Sequence, residues 1–212
     1  MRLYSYFRSS AAYRVRIALA LKGLAYEYAP VHLAKGEQRA DGYRALNAQA
    51  LVPTLVNDGR AFTQSLAIIE YLDERHPKPP LLPDTPEERA RVRAIALSIA
   101  CDVHPLNNLR VLQYLARSLG ASEDATNAWY RHWIEVGLSA LETQLASDPA
   151  TGEFCHGEAP SLADVCLVPQ LANARRYAVP LDAYPTLTRI DSTCRALAAF
   201  AQAAPERQPD AQ

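Results

Sequence analysis

Two adjacent serines, Ser9 and Ser10, stand between a short apolar segment and a run of residues with helical spacing. A serine at such a position can cap a helix, because its side-chain oxygen accepts a hydrogen bond from an otherwise unpaired amide of the first turn. Free amides, the positive end of the helix dipole, the two hydroxyls and Arg8 would then converge on one point. We expect this point to bind an anion, such as a thiolate or a carboxylate. Simple capping of the helix is the alternative for the same residues.

A second pair of polar residues, Gln64 and Ser65, opens a later helix and offers the same kind of anion site, with simple capping again as the alternative. Val52 precedes Pro53 directly before a strand. From the residues alone a trans bond is expected there, whereas a cis bond would present the N–H and C=O of Val52 to a peptide-like ligand. Two helix N-termini and one strand edge together describe a groove for a short, charged peptide.

The second half of the chain carries another set of polar residues. Asp102, His104, Asn108 and Arg110 recur at intervals that place them mostly along one flank of a bent helix. A lone histidine on such a helix more often has a structural role than a chemical one. Arg176 belongs to a later, apolar helix, and we predict that it faces the inner side. An arginine there needs a carboxylate, from the protein or from a ligand, because leaving it unpaired is unfavourable.

The elements that must position these residues follow the order βαβ, short helix, ββα over the first 75 residues. Asn57, Asp58 and Gly59 lie between two apolar runs and predict a tight hairpin. Gly23 stands where a left-handed residue ends a helix. The predicted strands cover residues 2–6, 26–33, 54–56 and 60–62, and the predicted helices cover residues 10–22, 42–46 and 66–75.

A proline-rich segment, residues 76–86, separates this half from an entirely helical one, since it holds five of the 15 prolines. Ser161 and Asp164 form an S-x-x-D capping box at the start of one of these helices. We therefore expect a first domain over residues 1–79, a linker over 80–86 and a second domain over 87–212. The expected helices there cover residues 87–119 (bent near Pro105), 123–146, a third from Ser161 and 186–203, before a disordered tail over 205–212.

The composition excludes several function classes. With 212 residues, 22 Lys and Arg against 23 Asp and Glu, and a net charge of −1, the chain has no global field that would bind nucleic acid or an anionic membrane. The start, MRLYSYF, has no apolar run long enough for a signal peptide or a membrane span, so we expect a cytoplasmic protein. A small-molecule partner is favoured.

The four cysteines lie far apart without a CxxC pair, which favours buried reduced thiols over a disulfide framework or a zinc site. The histidines show no metal-ligand spacing either, so no metal is predicted. The cysteines are Cys101, Cys155, Cys166 and Cys194.

Four segments make a family resemblance explicit over nearly the whole chain. They read YFRSSAAYRVRIALALKG, ALNAQALVPTL, QSLAIIEYLDE and PSLADVCLVPQ, and they resemble the zeta class of glutathione transferases. The resemblance implies an α/β thioredoxin-like N-terminal domain, an all-α C-terminal helical domain and a homodimer. It also implies that the Val52–Pro53 bond is cis, and that glutathione is the cofactor.

Carried over position by position, the resemblance places the glutathione sulfur at Ser9 and Ser10. Ala11 stands where many members have a cysteine, so no protein thiol is expected to act as the nucleophile. His104 stands where many relatives have a glutamine, and Arg110 stands where a smaller polar residue is common. Besides the two serines, the positions assigned to glutathione are Ala11, Gln38, Val52, Gln64, Ser65, Asp102, His104, Asn108 and Arg110. For Asp102 and His104, glutathione of the same subunit and glutathione of the partner subunit are both open.

The implied reaction is a cis–trans isomerisation of maleylpyruvate or maleylacetoacetate, through reversible addition of the glutathione thiolate to the double bond. Arg8, Arg110 and Arg176 would bind the substrate's carboxylates or the enolate oxygen. Arg110 adds a cation and favours maleylpyruvate. The alternatives are a transferase that conjugates glutathione to haloacids or other electrophiles, and a binding protein without turnover.

Overall fold

Four short strands form one mixed sheet in the first part of the chain. In the computed structural model, which describes residues 1–211, the sheet order is β2-β1-β3-β4. β1 pairs with β2 in parallel, with Leu3 opposite Tyr28, and with β3 antiparallel, with Leu3 opposite Leu55. The strands are β1 (Arg2–Ser5), β2 (Glu27–Pro30), β3 (Thr54–Asn57) and β4 (Arg60–Thr63).

The turn between β3 and β4 confirms the hairpin prediction. Asp58 (φ 49°) and Gly59 (φ 75°) are both left-handed, as a two-residue turn between twisted strands requires. Thr54 faces Thr63 across the pair, and Asn57 faces Arg60. This hairpin is followed directly by the helix that begins at Ser65.

Helix α1 packs against α3 and against a helix from the far end of the chain, α9. Buried Val15, Ile17 and Leu19 anchor α1, and Gly23 follows its end with φ 63°, as predicted. The helices of this unit are α1 (Ser10–Leu21), α2 (Asp41–Arg44), α3 (Ser65–Arg75) and α9 (Ala198–Ala203). Single 3₁₀ turns cover Leu33–Lys35 and Glu37–Arg39.

The second unit is helical, as predicted. Its helices are α4 (Pro86–Leu97), α5 (Leu109–Ser118), α6 (Glu123–Ser147), α7 (Leu162–Arg176) and α8 (Pro185–Ala196). The first predicted helix is interrupted near Pro105: a π-helical segment (Ser98–Val103) and a 3₁₀ turn (Pro105–Asn107) separate α4 from α5. Proline lacks the N–H that a regular helix needs at this point, so the interruption follows from the sequence.

The capping box at the start of α7 is formed. The amide and the hydroxyl of Ser161 both donate to Asp164 Oδ2 at 2.8 Å, and the amide of Cys155 donates to Asp164 Oδ1 at 2.8 Å. Both residues are buried. Pro169 lies inside this helix, which continues to Arg176.

The chain divides into one unit of residues 1–81 and 196–212 and a second unit of residues 82–195. The C-terminal residues thus contact the first unit, whereas we expected them in a helical domain over 87–212. The expected disordered tail also differs, since Pro205–Arg207 forms a 3₁₀ turn and Asp210 makes side-chain hydrogen bonds. Gln212 of that tail lies outside the described residues.

Three of the four cysteines, Cys155, Cys166 and Cys194, are fully buried. Burial raises the pKa of the Cys155 and Cys194 thiols, so both stay protonated near neutral pH. Cys101 is exposed, and our expectation of four buried thiols was wrong for it. It lies in the π-helical segment, and the wide spacing of the cysteines, on which the expectation rested, does not predict the exposure of any one of them.

None of the helices in the described part of the chain is long and apolar enough to cross a membrane.

Candidate functional site

The N-terminus of α1 presents two hydroxyls directly after β1 and a three-residue loop. Ser9 is the N-cap, and its Oγ accepts a hydrogen bond from the amide of Ala12 at 3.2 Å. This bond uses a lone pair of the oxygen and leaves the O–H free to donate elsewhere. Ser10 is the first helical residue and is buried. Within residues 1–211, the amide of Ala11 makes no hydrogen bond, so it is open to an acceptor from outside the chain.

Arg8 extends from the loop before Ser9 and is exposed. Its guanidinium carbon lies 4.9 Å from the centre of the Phe7 ring, a cation–π geometry. No ion pair engages Arg8 in the part of the chain that the structure describes. Its charge is therefore available to an anionic ligand.

The N-terminus of α3 lacks a side-chain cap. Gln64 precedes it with φ 67° and ψ 117°, and no side chain accepts from the first amides. A non-glycine residue held in this region costs of order 1–3 kcal/mol, and such residues cluster at functional sites. Gln64 donates to Gln49 Oε1 at 2.8 Å, and buried Ser65 accepts from Arg14 Nη1 at 3.3 Å. Arg14 thus links α1 to the start of α3.

The bond between Val52 and Pro53 is cis, which overturns the trans default and agrees with the resemblance. The preceding carbonyl, of Leu51, accepts hydrogen bonds from Tyr43 Oη at 2.6 Å and from Asn47 Nδ2 at 2.8 Å. Among residues 1–211, no hydrogen bond uses the main chain of Val52. A peptide-like ligand can therefore pair with it as an added strand.

Gln38 lies in the 3₁₀ turn that follows Gly36 and is 6% exposed. Its Oε1 is buried and has no hydrogen-bond partner within the described residues. Because buried acceptors are normally satisfied, this oxygen is suited to a donor from outside the chain.

The second unit holds the remaining predicted residues, but not along one flank of a helix. Asp102 is exposed in the π-helical segment, and half-buried His104 follows that segment. Asn108 is the N-cap of α5 and accepts from the amide of Arg110 at 3.1 Å. Arg110 is exposed. The break in the helix therefore distributes these four side chains over three short segments.

Arg176 is the last residue of α7 and is exposed, so the prediction of an inner-facing arginine was wrong. The preceding Arg175 forms an ion pair with buried Asp191. No carboxylate of residues 1–211 lies at ion-pair distance from Arg176. A helix period does not predict which side a residue takes in the last turn, where the chain leaves the helix.

Aromatic rings hold the Arg176 side chain. Its guanidinium carbon lies 5.0 Å from the centre of the Tyr177 ring, which stacks on Tyr130 with centroids 3.6 Å apart and an interplanar angle of 9°. Burial raises the pKa of Tyr130 to about 12, although the nearby charge of Arg176 acts in the opposite direction. The phenol of Tyr130 therefore stays protonated. The aromatic rings hold the guanidinium in place without neutralising its charge.

Several supporting residues were missed by the sequence analysis: Arg14, Arg16, Tyr43, Asn47 and Asp210. Arg14 and Arg16 could have been found from the sequence, since two arginines in an otherwise apolar helix predict buried side chains with specific partners. Asp210 could not have been found in this way, because its partners lie about 200 positions earlier in the chain.

Comparison with known proteins identifies the family of this chain. The family model of the glutathione S-transferase N-terminal domain matches residues 3–80, and that of the C-terminal domain matches residues 134–203. A probable maleylacetoacetate isomerase of Vibrio cholerae is 54% identical over 211 residues, with 99% of this chain and 97% of the relative covered. A maleylpyruvate isomerase of Ralstonia sp. is 49% identical over 210 residues, with 99% of each covered.

Solved structures give the same result. A holo structure of a maleylpyruvate isomerase, described as a bacterial glutathione S-transferase of the zeta class, has a TM-score of 0.98 at 48% identity and 100% coverage of both chains. A maleylacetoacetate isomerase of Methylobacterium extorquens AM1, with bound malonate and glutathione, has a TM-score of 0.98 at 43% identity and 100% coverage of both chains. On these matches, the protein belongs to the glutathione S-transferase family, in its zeta class.

Proposed function

We propose that this protein is a glutathione-dependent isomerase that converts maleylpyruvate, a cis compound, into trans fumarylpyruvate. The observation that carries the proposal is the N-terminus of α1, where Ser9, Ser10 and the open amide of Ala11 meet the loop that carries Arg8. Such a site favours a thiolate. Relatives of about 50% identity bear the names of maleylpyruvate and maleylacetoacetate isomerases.

Glutathione would occupy the first unit by three kinds of contact. A terminal carboxylate of the tripeptide would bind at the start of α3, where Ser65 and the uncapped amides lie beside Gln64. The peptide backbone would pair with the free N–H and C=O of Val52. The unsatisfied Oε1 of Gln38 would accept an N–H of the ligand. From the second unit, we propose glutathione contacts by Asp102, His104, Asn108 and Arg110.

The sulfur would lie at Ser9 and Ser10, where a hydroxyl, an amide and the helix dipole stabilise its anion and lower the thiol pKa. The thiolate then forms a C–S bond to the alkene carbon β to the ketone, the one that bears the carboxylate, and the displaced π-electron pair moves onto the ketone oxygen as an enolate. The former double bond is now single and rotates. Collapse of the enolate restores the double bond in its trans form and breaks the C–S bond, which releases the thiolate.

Arginines would bind the substrate's negative charge. Arg176 is exposed, held by an aromatic stack and without a carboxylate partner in residues 1–211. A guanidinium so fixed can form a bidentate pair with a carboxylate, which aligns the alkene for attack. Arg8 and Arg110 would bind the other carboxylate or the enolate oxygen, where positive charge stabilises the transition state.

A second substrate, maleylacetoacetate, is favoured by one observation: the relative at 54% identity bears the name of a probable maleylacetoacetate isomerase. The two substrates differ by one methylene, and a site discriminates a methylene by only about 10- to 200-fold. We expect the higher kcat/KM on maleylpyruvate, because Arg110 adds a cation that can draw in the distal carboxylate. Measuring both values on the same preparation decides between them.

The test of the proposed function replaces glutathione by S-methylglutathione, which keeps the peptide contacts but has no thiol. We expect isomerisation with glutathione and none with the methylated compound, which should instead inhibit competitively. Isomerisation at the same rate with both would overturn the proposal. Faster conversion of a haloacid than of either maleyl compound would favour a conjugating transferase.

We also propose a homodimer that works in the cytoplasm. Large apolar side chains of the second unit are exposed, as expected for a surface that a second copy covers. They are Leu97, Leu109, Tyr114, Leu119 and Val136. Sedimentation equilibrium should give twice the chain mass, and a monomer at micromolar concentration would contradict the proposal. The cytoplasmic location is supported by the buried reduced thiols of the second unit.

A further inference from the structure

The residues that follow α9 return to the loop that carries Ser9. Buried Gln208 fixes this C-terminal segment (residues 204–211) by donating from Nε2 to the carbonyl of Ala204 at 2.8 Å and to that of Gln202 at 3.0 Å. Two positions further on, the half-buried Asp210 reaches the loop between β1 and α1.

Asp210 joins two elements of the first unit. Its Oδ2 accepts the amide hydrogen of Phe7 at 3.1 Å, across 203 positions of the sequence, and its Oδ1 accepts the hydroxyl of Tyr28 on β2 at 2.6 Å. Burial, together with the bond to Asp210, raises the pKa of Tyr28, so the phenol stays protonated and remains a donor. Ala211 then packs against a cluster of buried side chains: Tyr6, Phe7, Val31, Tyr43 and Val52.

Arg16 holds the same loop through the carbonyl group of Phe7, whereas Asp210 holds it through the amide group of Phe7. It is 1% exposed on α1, and its guanidinium donates to the carbonyls of Phe7 at 3.1 Å and Tyr6 at 3.4 Å. It also donates to Ser5 Oγ at 3.1 Å and to the carbonyl of Ala203 at 2.9 Å. The N–H of Phe7 is thus fixed by a carboxylate, and its C=O by a guanidinium. Charged partners of this kind make hydrogen bonds roughly twice as strong as neutral ones.

The fixed peptide sets the position of Ser9. The amide of Ser9 donates to the carbonyl of Tyr6 at 2.9 Å, so the turn that places Ser9 at the start of α1 closes on the residue next to Phe7. A shift of the Phe7 peptide would move the serine hydroxyls relative to a bound sulfur. Misplacement of a catalytic group by about 1 Å can lower a rate by roughly 100-fold.

We propose that Asp210 is a positioning residue for the reaction: by holding the Phe7 peptide, it keeps Ser9 and Ser10 in the geometry that stabilises the glutathione thiolate. The inference rests on the proposed thiolate role of these serines. It gives the C-terminal segment a part in the chemistry, although Asp210 itself touches neither cofactor nor substrate.

The test measures the pKa of enzyme-bound glutathione by its ultraviolet thiolate absorbance, together with kcat at saturating glutathione. Asp210→Ala should raise the thiol pKa by about one unit and lower kcat about tenfold at a pH below both pKa values, since there one pKa unit is a tenfold change in thiolate population. Asp210→Asn should restore most of both, because its oxygen can accept from Phe7 while its amide donates to the Tyr28 oxygen. Glu206→Ala is the matched control, since Glu206 is an exposed acid of the same segment.

Tyr28→Phe provides a second variant should Asp210→Ala fail to fold. It removes one donor to Asp210 but keeps the bond to Phe7, so a smaller rise of the thiol pKa in the same direction is expected. An unchanged thiol pKa and kcat in Asp210→Ala, or in Tyr28→Phe if Asp210→Ala does not fold, would overturn the inference. An Asp210→Asn variant as impaired as Asp210→Ala would overturn it as well. Ser9→Ala, measured in parallel, separates the two claims. If it leaves the thiol pKa unchanged, the thiolate role of Ser9 fails; if it raises the pKa while the Asp210 variants do not, only the role of Asp210 fails.

Discussion

At the scale of single residues, the proposed chemistry depends on hydroxyl donors at one helix end. Ser9 Oγ accepts from the amide of Ala12 and can still donate its own hydrogen, so the same atom can cap the helix and bind an anion. Capping and catalysis, the two alternatives that the sequence left open, are therefore compatible.

Ser9→Ala should lower kcat at saturating glutathione by about 10- to 100-fold, as expected when an anion loses a hydrogen bond worth about 1.5–3 kcal/mol. Ser10→Ala is measured beside it, because either hydroxyl can hold the sulfur. Ser122→Ala, which removes the exposed cap of α6, is the control and should keep full activity. Full isomerisation in both Ser9→Ala and Ser10→Ala would contradict the thiolate role.

The cysteines should be dispensable. Cys101 is the exposed one of the four, whereas burial raises the pKa of the Cys155 and Cys194 thiols and makes them poor nucleophiles. N-ethylmaleimide should therefore modify Cys101 first, and activity should return within about twofold when fresh glutathione is added, because the cofactor supplies the only nucleophile. Cys101→Ser, treated in the same way, is the control. Lasting inactivation of the parent, but not of this variant, would contradict the prediction.

At the scale of elements, helix ends and strand turns were predictable because their signals are local. The hairpin at Asp58 and Gly59, the left-handed Gly23 and the capping box of Ser161 all rest on residues within a few positions of each other. The predicted bounds of α6 agree closely with the structure, since 123–146 was expected and Glu123–Ser147 is observed. The helix expected over 186–203 is instead divided into α8 (Pro185–Ala196) and α9 (Ala198–Ala203).

The capping box offers a stability test. Ser161→Ala removes a hydroxyl that donates to the buried Asp164 and should lower the free energy of unfolding by about 1–2 kcal/mol. For a chain of this length that corresponds to a fall in Tm of roughly 2–8 °C. Ser122→Ala removes a comparable cap that is exposed, and a smaller fall is expected. An equal or larger fall for Ser122→Ala in thermal unfolding would show that burial of the box adds nothing.

At the scale of the whole molecule, the sequence did not predict contacts between residues that are far apart in the chain, or the side that a residue takes where a helix ends. The contact of the C-terminal segment with the first unit depends on side chains such as Asp210, whose partners leave no periodic pattern near it. Arg176 lies in the last turn of α7, where position in the helix does not predict the side that a residue takes. Cys101 is exposed, although the spacing of the cysteines favoured burial. The site residues themselves came from family resemblance together with helix-end chemistry.

A comparison of charged and neutral substrates should distinguish an isomerase of maleyl compounds from a general transferase. Arg176→Ala should lower kcat/KM on the maleyl substrate by a factor of tens to thousands, since losing one partner of a charged pair costs about 2–5 kcal/mol. It should change turnover of a neutral electrophile such as chlorodinitrobenzene little. Arg176→Lys should not restore the loss, because lysine lacks the bidentate fork.

Arg44→Ala is the matched control, since Arg44 is also exposed at the end of a helix, α2. It should keep activity on both substrates. Equal losses on both substrates in Arg176→Ala, or no loss on the maleyl compound, would remove Arg176 as the carboxylate-binding residue.

The most direct test of glutathione as a regenerated cofactor follows free thiol during isomerisation. Maleylpyruvate is supplied in large excess over glutathione, and the trans product and the remaining thiol are measured together. Product should far exceed the glutathione present while the thiol concentration stays constant, because collapse of the enolate returns the thiolate in each cycle. Loss of one thiol for each product molecule, or an equal rate without glutathione, would contradict it.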